Sequence, residues 1–228
     1  MVGLFFNMAD FLWQLQTSII PQDWSQLQAL LLSNRQIKDQ LGFFHPQHPL
    51  TIEPLALGID QKQIEVMCAQ LKQALKEKSK IVIFGDYDAD GICATAILWR
   101  LLYDAGFKVT PFIPNRLEHG YGLSLKAAQA LIKKERPKII ITVDNGIVAH
   151  EAVAWLNAQK IMVIITDHHQ PEKDKQGVVI WPQALAVILS TKLCGASMAW
   201  VVGKIILESL EKNLTSKTKA KLQAELDL

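Results

Sequence analysis

Four short apolar runs, each closed by a polar or glycine-containing turn, alternate with stretches of helical periodicity through the middle of this chain. Ile81–Phe84, Lys108–Phe112, Ile139–Val143 and Met162–Thr166 have the length and β-branched content of buried strands. Ile92–Ala105, Ser124–Lys134 and Ile147–Ala158 lie between them and read as helices. Upstream, Ile64, Met67, Cys68, Leu71 and Leu75 repeat at helical spacing and predict a helix over Ile59–Lys78. Strict strand–helix alternation predicts right-handed β-α-β crossovers. The fold class expected is α/β, a parallel Rossmann-like sheet flanked by helices. Asp10 to Ser33 predicts a mainly helical N-terminal arm interrupted at Pro21, with Met1–Trp13 as its start, and His45–Pro49 reads as a turn-rich linker. Residues 1–55 are therefore expected to form an arm and linker, and residues 56–228 the sheet domain.

The turns that close three of the predicted strands carry the chemistry. Gly85-Asp86-Tyr87-Asp88-Ala89-Asp90-Gly91 puts three carboxylates at alternate positions. Carboxylates packed this closely repel one another and call for a cation. An EF-hand loop also opens with Asp-x-Asp-x-Asp-Gly. Its twelfth position, however, falls here on Ile97 rather than a glutamate, and a strand precedes it. The second turn is Asp144-Asn145-Gly146 and the third is Asp167-His168-His169. One such turn is readily explained as a capping aspartate. Three are not, because a parallel sheet gathers all strand C-terminal ends on one edge, where open α/β sheets hold their ligands.

Many carboxylates, one or two imidazoles and no nearby cysteine suit manganese or magnesium better than structural zinc. This donor set is rich enough for two divalent ions, with Asp144 the candidate bridge. Paired ions of this kind clamp a phosphoryl group and lower the pKa of a bound water, which points to hydrolysis of a phosphoester or phosphoanhydride.

Taken together, Gly85–Gly91, Val143–Gly146 and Asp167-His168-His169 resemble the DHH phosphoesterase superfamily. Within it, Ile113–Gly122 and the lead-in Leu31–Arg35 with Pro54–Gly58 are similar to the single-strand-specific 5′-to-3′ DNA exonuclease branch, which acts in DNA repair and recombination. The resemblance implies two Mn2+ or Mg2+ ions in the complete enzyme and single-stranded DNA as partner. It implies that Asp88 binds one ion, Asp90 the other, that Asp144 bridges them, and that His168 completes the ligand set of the second ion. His169 would contact the scissile phosphate or help activate water. Asp86 would be an additional ligand, and Asp167 a supporting partner that fixes an imidazole tautomer. Asn115, Arg116, Gly120, Tyr121 and Gly122 would border the nucleic-acid track, with Arg116 able to bind a phosphate through two parallel bonds. Gly195 and Ser197, at a predicted helix start, would offer free amide groups to a phosphate.

The chain also departs from that pattern. Trp181-Pro182 stands where the family often has Asn-Pro, and Gln183–Lys192 is apolar where a polar loop is usual. The resemblance calls for a further aspartate on a strand after the helix beginning near Gly195. Lys212–Glu225 instead reads as a charged helix, followed by Leu226-Asp227-Leu228. On that basis the chain is expected to be the N-terminal part of a longer enzyme, its catalytic domain incomplete at the C-terminus and of low activity alone. Two other readings are a small-substrate phosphoesterase, acting on oligonucleotides, nucleotides or pyrophosphate, and a non-catalytic metal- or DNA-binding domain.

Composition changes this picture little. Half of the residues are apolar, enough for a large core, and the net charge of +2 does not by itself demand nucleic acid. Lys133, Lys134, Arg136 and Lys138, and the set Lys212, Lys217, Lys219 and Lys221, read as solvated helix faces. Trp99, Trp155 and Trp200 read as core. Cys68, Cys93 and Cys194 form no Cys-x-x-Cys pair and read as reduced thiols of a monomeric, cytoplasmic protein. No apolar run approaches the length of a membrane span, and Met1–Trp13 lacks the basic leader of a signal peptide.

Overall fold

A computed structural model describes residues 7–8, 11–12 and 20–210, with positions 214, 218, 220, 221 and 224. It divides into two compact units, residues 1–52 and 53–228. In the first unit, helices α1 (Trp24–Asn34) and α2 (Gln40–Phe44) are capped by Asp23 and Asp39, whose carboxylates accept the amides of Gln26 and Gly42. Asn7–Met8 pairs antiparallel with Phe11–Leu12, where the start of a helix was expected. The charged helix expected over 212–225 lies largely outside the described residues, and Leu226–Leu228 lies wholly outside them.

The second unit contains a five-stranded parallel sheet. Its elements in chain order are α3 (Gln61–Glu77), β1 (Ile81–Phe84), α4 (Ala89–Asp104), β2 (Val109–Phe112), α5 (Arg116–His119) and α6 (Leu125–Glu135). They continue with β3 (Ile139–Val143), α7 (His150–Ala158), β4 (Met162–Asp167), β5 (Ala186–Leu189) and α8 (Gly195–Leu210). Spatial order is β2-β1-β3-β4-β5, every pair parallel. The central strands are buried at every position, as expected of a sheet covered on both faces. Successive residues alternate between those faces. Val82, Phe84, Ile140, Val163 and Ile165 pack with Ala127, Leu131, Val153 and Leu156 of α6 and α7. Helices α3, α4 and α8 cover the sheet from the other side, α4 lying along α8.

The four strands read from the sequence are present at their expected positions. The fifth, β5, falls in Gln183–Lys192, an apolar stretch to which no strand was assigned from the sequence. It runs beside β4 with Ile164 opposite Ala186 and Asp167 opposite Leu189. Its outer side is engaged rather than open: Val187 N–H donates to Gln63 Oε1 at 2.9 Å, and Ser190 Oγ donates to the Leu57 carbonyl at 2.7 Å. Trp99, Trp155 and Trp200 are half-buried rather than core.

The order 2-1-3-4-5 has a consequence for function. The chain leaves β1 toward β2 on one side and returns to β3 on the other. The loops after β1 and β3 therefore diverge and leave a crevice at their carboxyl ends, the usual ligand position of an open α/β sheet.

Candidate metal centre

The loop after β1 folds back tightly on itself. The Asp86 carboxylate accepts the Tyr87 amide at 2.7 Å, and Asp88 caps α4 by accepting the Gly91 amide at 2.9 Å. Because Asp88 is the cap, α4 starts at Ala89, earlier than expected, and Asp90 sits in its first turn. Gly91 lies directly against Asp86, so a Cβ there would meet the Asp86 backbone nitrogen at 2.7 Å; only glycine permits this approach.

Asp144, the first residue after β3, is held in the left-handed region at φ 61°. A non-glycine residue in that conformation is strained, and such strain concentrates at functional sites. The Asp144 side chain is buried and points at the amino end of α8, where Gly195 leaves just enough room for its carboxylate. Asp90 reaches the same helix end from the other side. Its two oxygens accept the amides of Gly195 and Ala196, each at 2.7 Å. This corrects the expectation that free amides at Gly195 await a phosphate: the anion already on that helix terminus is Asp90. The Ser197 hydroxyl lies 3.3 Å from Cys194 Sγ.

At the end of β4, Asp167 is buried and saturated. Its Oδ1 accepts the amides of His168 at 2.7 Å and His169 at 3.1 Å and contacts His169 Nδ1 at 2.7 Å. Its Oδ2 accepts the Ile147 amide at 2.9 Å, tying the β4 turn to the β3 turn. With Nδ1–H donated to Asp167, the free lone pair of His169 is on Nε2. Burial alone would lower the His169 pKa, but the Asp167 carboxylate outweighs it and holds the pKa above its ordinary value.

With Asp167, these elements bring seven of the expected residues together. His168 Nε2 lies 3.0 Å from Asp144 Oδ1 and 3.7 Å from Asp90 Oδ2. The two imidazole rings are 4.4 Å apart between centroids. Asp144, His168 and His169 each offer a ligand atom within 4.8 Å of the others. Asp86 and Asp88 lie close enough to interact electrostatically with this group. Burial, then the carboxylates of Asp90 and Asp88, push Asp144 up to about 6. Burial likewise raises Asp86, with Asp88 adding to the effect. Asp90 moves the other way: burial opposes it, but the Ala196 and Gly195 amides hold its pKa down.

One buried carboxylate oxygen, Asp86 Oδ2, accepts no hydrogen bond among the described residues, and Asp144 Oδ1 accepts none of good geometry, with His168 Nε2 3.0 Å away. An orphaned buried anion is costly, and a divalent cation removes that cost. Oxygen donors with imidazole nitrogen fit Mn2+ or Mg2+. Asp90 keeps ligand capacity as well, since each carboxylate oxygen carries a second lone-pair direction.

The expected nucleic-acid residues form the rim. The Asn115 carboxamide caps α5 through the Leu117 amide at 2.9 Å, and Arg116 stands 5.1 Å above the Tyr87 ring. Tyr87 in turn meets Tyr121 edge to face at 6.3 Å between centroids. Gly120 and Gly122 both have positive φ, which carries Tyr121 around the turn. Beside His169 opens a cleft of about 700 Å³, lined by Tyr121, Gly122, Asn145, Val148, His150 and Gln170 among others. Asn145 was not assigned a role from sequence. It is buried, donates to the Val143 carbonyl at 2.9 Å and leaves its Oδ1 without a partner among the described residues. Its position, directly after Asp144 at a strand end, was the signal that marked it.

Comparison with known proteins agrees with this fold. The chain is similar to single-stranded-DNA-specific exonuclease RecJ of Thermus thermophilus, 41% identical over 150 residues, covering 65% of this chain and 22% of that protein. It is 32% identical to the RecJ of Bacillus subtilis over 158 residues, 68% of this chain and 20% of the relative. The chain thus spans about a fifth of the length of these curated relatives. A crystal structure of exonuclease RecJ bound to manganese superimposes with a TM-score of 0.58 at 33% identity, covering 72% of this chain and 40% of that one. A RecJ–Mn2+ structure from Thermus thermophilus gives 0.56 at 29% identity, covering 82% of this chain and 26% of that one. The DHH family, N-terminal domain, matches residues 80–225, a stretch that holds the strand-end aspartates and histidines described above, and the chain belongs to that family.

Proposed function

We propose that this chain carries the metal-binding half of a nuclease site that hydrolyses phosphodiester bonds of single-stranded DNA, as a 5′-to-3′ exonuclease of RecJ type. The observation that carries the proposal is the convergence of Asp90, Asp144, His168 and His169 around the buried Asp144 carboxylate at the sheet's switch point. Asp88, Asp90, Asp144 and His168 would hold two Mn2+ or Mg2+ ions, with Asp86 as an additional ligand and Asp144 between them. Bound ions of this kind polarise the phosphoryl group and supply a hydroxide-like water.

The chain's own residues do the rest. Asp167 fixes the His169 ring so that Nε2 faces the reacting phosphate. The amides of Gly195 and Ala196 anchor Asp90, and the left-handed turn at Asp144 aims its carboxylate inward. Arg116 supplies a phosphate contact at the rim. Tyr121, 61% exposed, offers an aromatic face on which a base can stack. The manganese-bound RecJ relatives support the metal, and the similarity to RecJ supports the substrate and its place in DNA repair and recombination. Three free cysteines, Cys68, Cys93 and Cys194, support a cytoplasmic setting.

A second reading is favoured by the cleft beside His169, whose volume of about 700 Å³ would hold a nucleotide-sized ligand. In that reading the chain is a small-substrate phosphoesterase. Both are tested by incubating the chain with Mn2+ and end-labelled single-stranded oligonucleotides, dinucleotides and pyrophosphate, with Asp88→Ala/His168→Ala as control. Progressive shortening of the long strand, lost in the control, supports the nuclease. Turnover of dinucleotide or pyrophosphate alone supports the second reading. Degradation that persists in the control would refute both.

A further inference from the structure

The edge of the sheet opposite the metal centre carries an ordered row of basic residues drawn from separate elements. In spatial order across the sheet, β2, β1 and β3 each begin directly after a lysine: Lys108, Lys80 and Lys138. Lys160 stands two residues before β4. The backbones of this row are linked across strands: Ile81 N–H donates to the Lys108 carbonyl, Lys138 N–H to that of Lys80, and Met162 N–H to that of Lys138. Neighbouring strands are spaced ~4.8 Å apart, so the row advances at that interval.

A second observation concerns how the helices on this edge stop. Four of them, α3, α4, α6 and α7, end in a left-handed residue, the position where glycine or asparagine is usual. Only α4 uses glycine, at Gly106. The others use Lys78 at φ 52°, Arg136 at φ 48° and Lys160 at φ 60°. Helix C-termini do favour positive charge. That explains Lys133 and Lys134 in the last turn of α6, but not Lys108 before β2, nor basic residues in place of the less strained glycine. Carboxylates neutralise the middle of the row, Glu77 pairing with Lys138 at 2.6 Å and Glu135 with Lys80 at 2.7 Å, and leave its flanks charged. Lys78, Lys108, Arg136 and Lys160 are exposed and have no carboxylate within ion-pair distance among the described residues. Tyr103, 59% exposed near the end of α4, adds an aromatic face to the same edge.

We propose that this edge is a second binding surface for the phosphate backbone of single-stranded nucleic acid, holding a stretch of strand away from the metal centre. The proposal rests on the nuclease reading for the identity of the polymer. Exposed cations without carboxylate partners on one edge, Lys78, Lys108, Arg136 and Lys160, beside an exposed ring fit a polymer of phosphates and stackable bases better than an acidic peptide. It also revises the reading of Lys133–Lys138 as an ordinary solvated face, because the structure joins that cluster to lysines from three other segments.

The test is the triple variant Lys78→Asn, Arg136→Asn, Lys160→Asn, since asparagine tolerates the left-handed stop while removing the charge. Binding of a fluorescent oligo(dT) of about 40 nucleotides is measured in EDTA across a salt series, with melting temperature as the folding check. The expected result is an affinity loss of about 10-fold or more and a log–log salt slope shallower by about 2, from three lost contacts at ~0.7 each. Mn2+-dependent hydrolysis of a short oligomer is expected to be unchanged, which separates this surface from the metal centre. If the triple variant does not fold, Lys108→Gln/Lys133→Gln/Lys134→Gln is the replacement. Unchanged oligo(dT) affinity and slope overturn the proposal. Loss of polyglutamate binding with oligo(dT) binding intact also overturns it, assigning the edge to an acidic protein.

Discussion

At the scale of single residues, the site is built from side chains placed under strain or without partners. Asp144 combines a left-handed backbone with a buried carboxylate repelled by those of Asp90 and Asp88. Both features disfavour the folded state when no cation is bound. Asp144→Gly should therefore raise metal-free stability by ~1–2 kcal/mol, read as a higher melting temperature, while weakening Mn2+ binding. A lower melting temperature would contradict the strain assigned to that turn. Asp167 is the opposite case, a carboxylate whose partners are all within the fold. Asp167→Asn should reduce Mn2+ affinity ~10–100-fold through loss of His169 orientation; affinity within a factor of two of wild type would remove it from the site. The candidate residues were legible in the sequence because each follows an apolar run. Their convergence on one sheet edge was legible too; the part played by α8 was not, because Asp90 and Asp144 both meet its amino end, about a hundred positions downstream of Asp90.

At the scale of elements, strand and helix identity followed from periodicity, and boundaries followed from caps that periodicity does not reveal. Asp88 starts α4 three residues earlier than the apolar pattern suggested, and Ala149 rather than Gly146 precedes α7. Strand β5 was missed because Ala186–Leu189 is a four-residue edge run after an irregular segment, with no alternation to mark it. The carboxyl end of α4 offers a test of electrostatics distant from the site. Asp104 accepts Arg100 Nε at 2.7 Å and Lys221 Nζ at 2.7 Å. Burial opposes ionisation there, but the two cations outweigh it and lower the Asp104 pKa. A depressed carboxylate pKa contributes stability that is present above the unfolded value near 4 and is lost as pH falls through the lower folded value. Asp104→Asn should thus cost ~1–3 kcal/mol at neutral pH, and the gap to wild type should close as pH drops below about 4. A gap independent of pH, by thermal denaturation, would show that packing rather than charge is lost.

At the scale of the whole unit, strand order decides where function can lie. The order 2-1-3-4-5 places the turns after β1, β3 and β4 on one edge and the helix stops on the other. The chain answers with acidic and imidazole groups on the first edge and basic groups on the second. This division was only half visible in the sequence: the acidic turns announce themselves, whereas Lys78, Lys108, Arg136 and Lys160 are scattered until the sheet aligns them. Among the described residues no helix is long and apolar enough to cross a membrane.

The central claim is that the turns after β1, β3 and β4 form one divalent-metal site. It is tested most directly by measuring free Mn2+ by electron paramagnetic resonance while titrating the ion into the chain, and into Asp144→Asn and His168→Ala. Saturable binding, weakened ~10-fold or more in each variant, is the predicted result. Absence of saturable binding, or binding that both variants retain unchanged, would contradict the account.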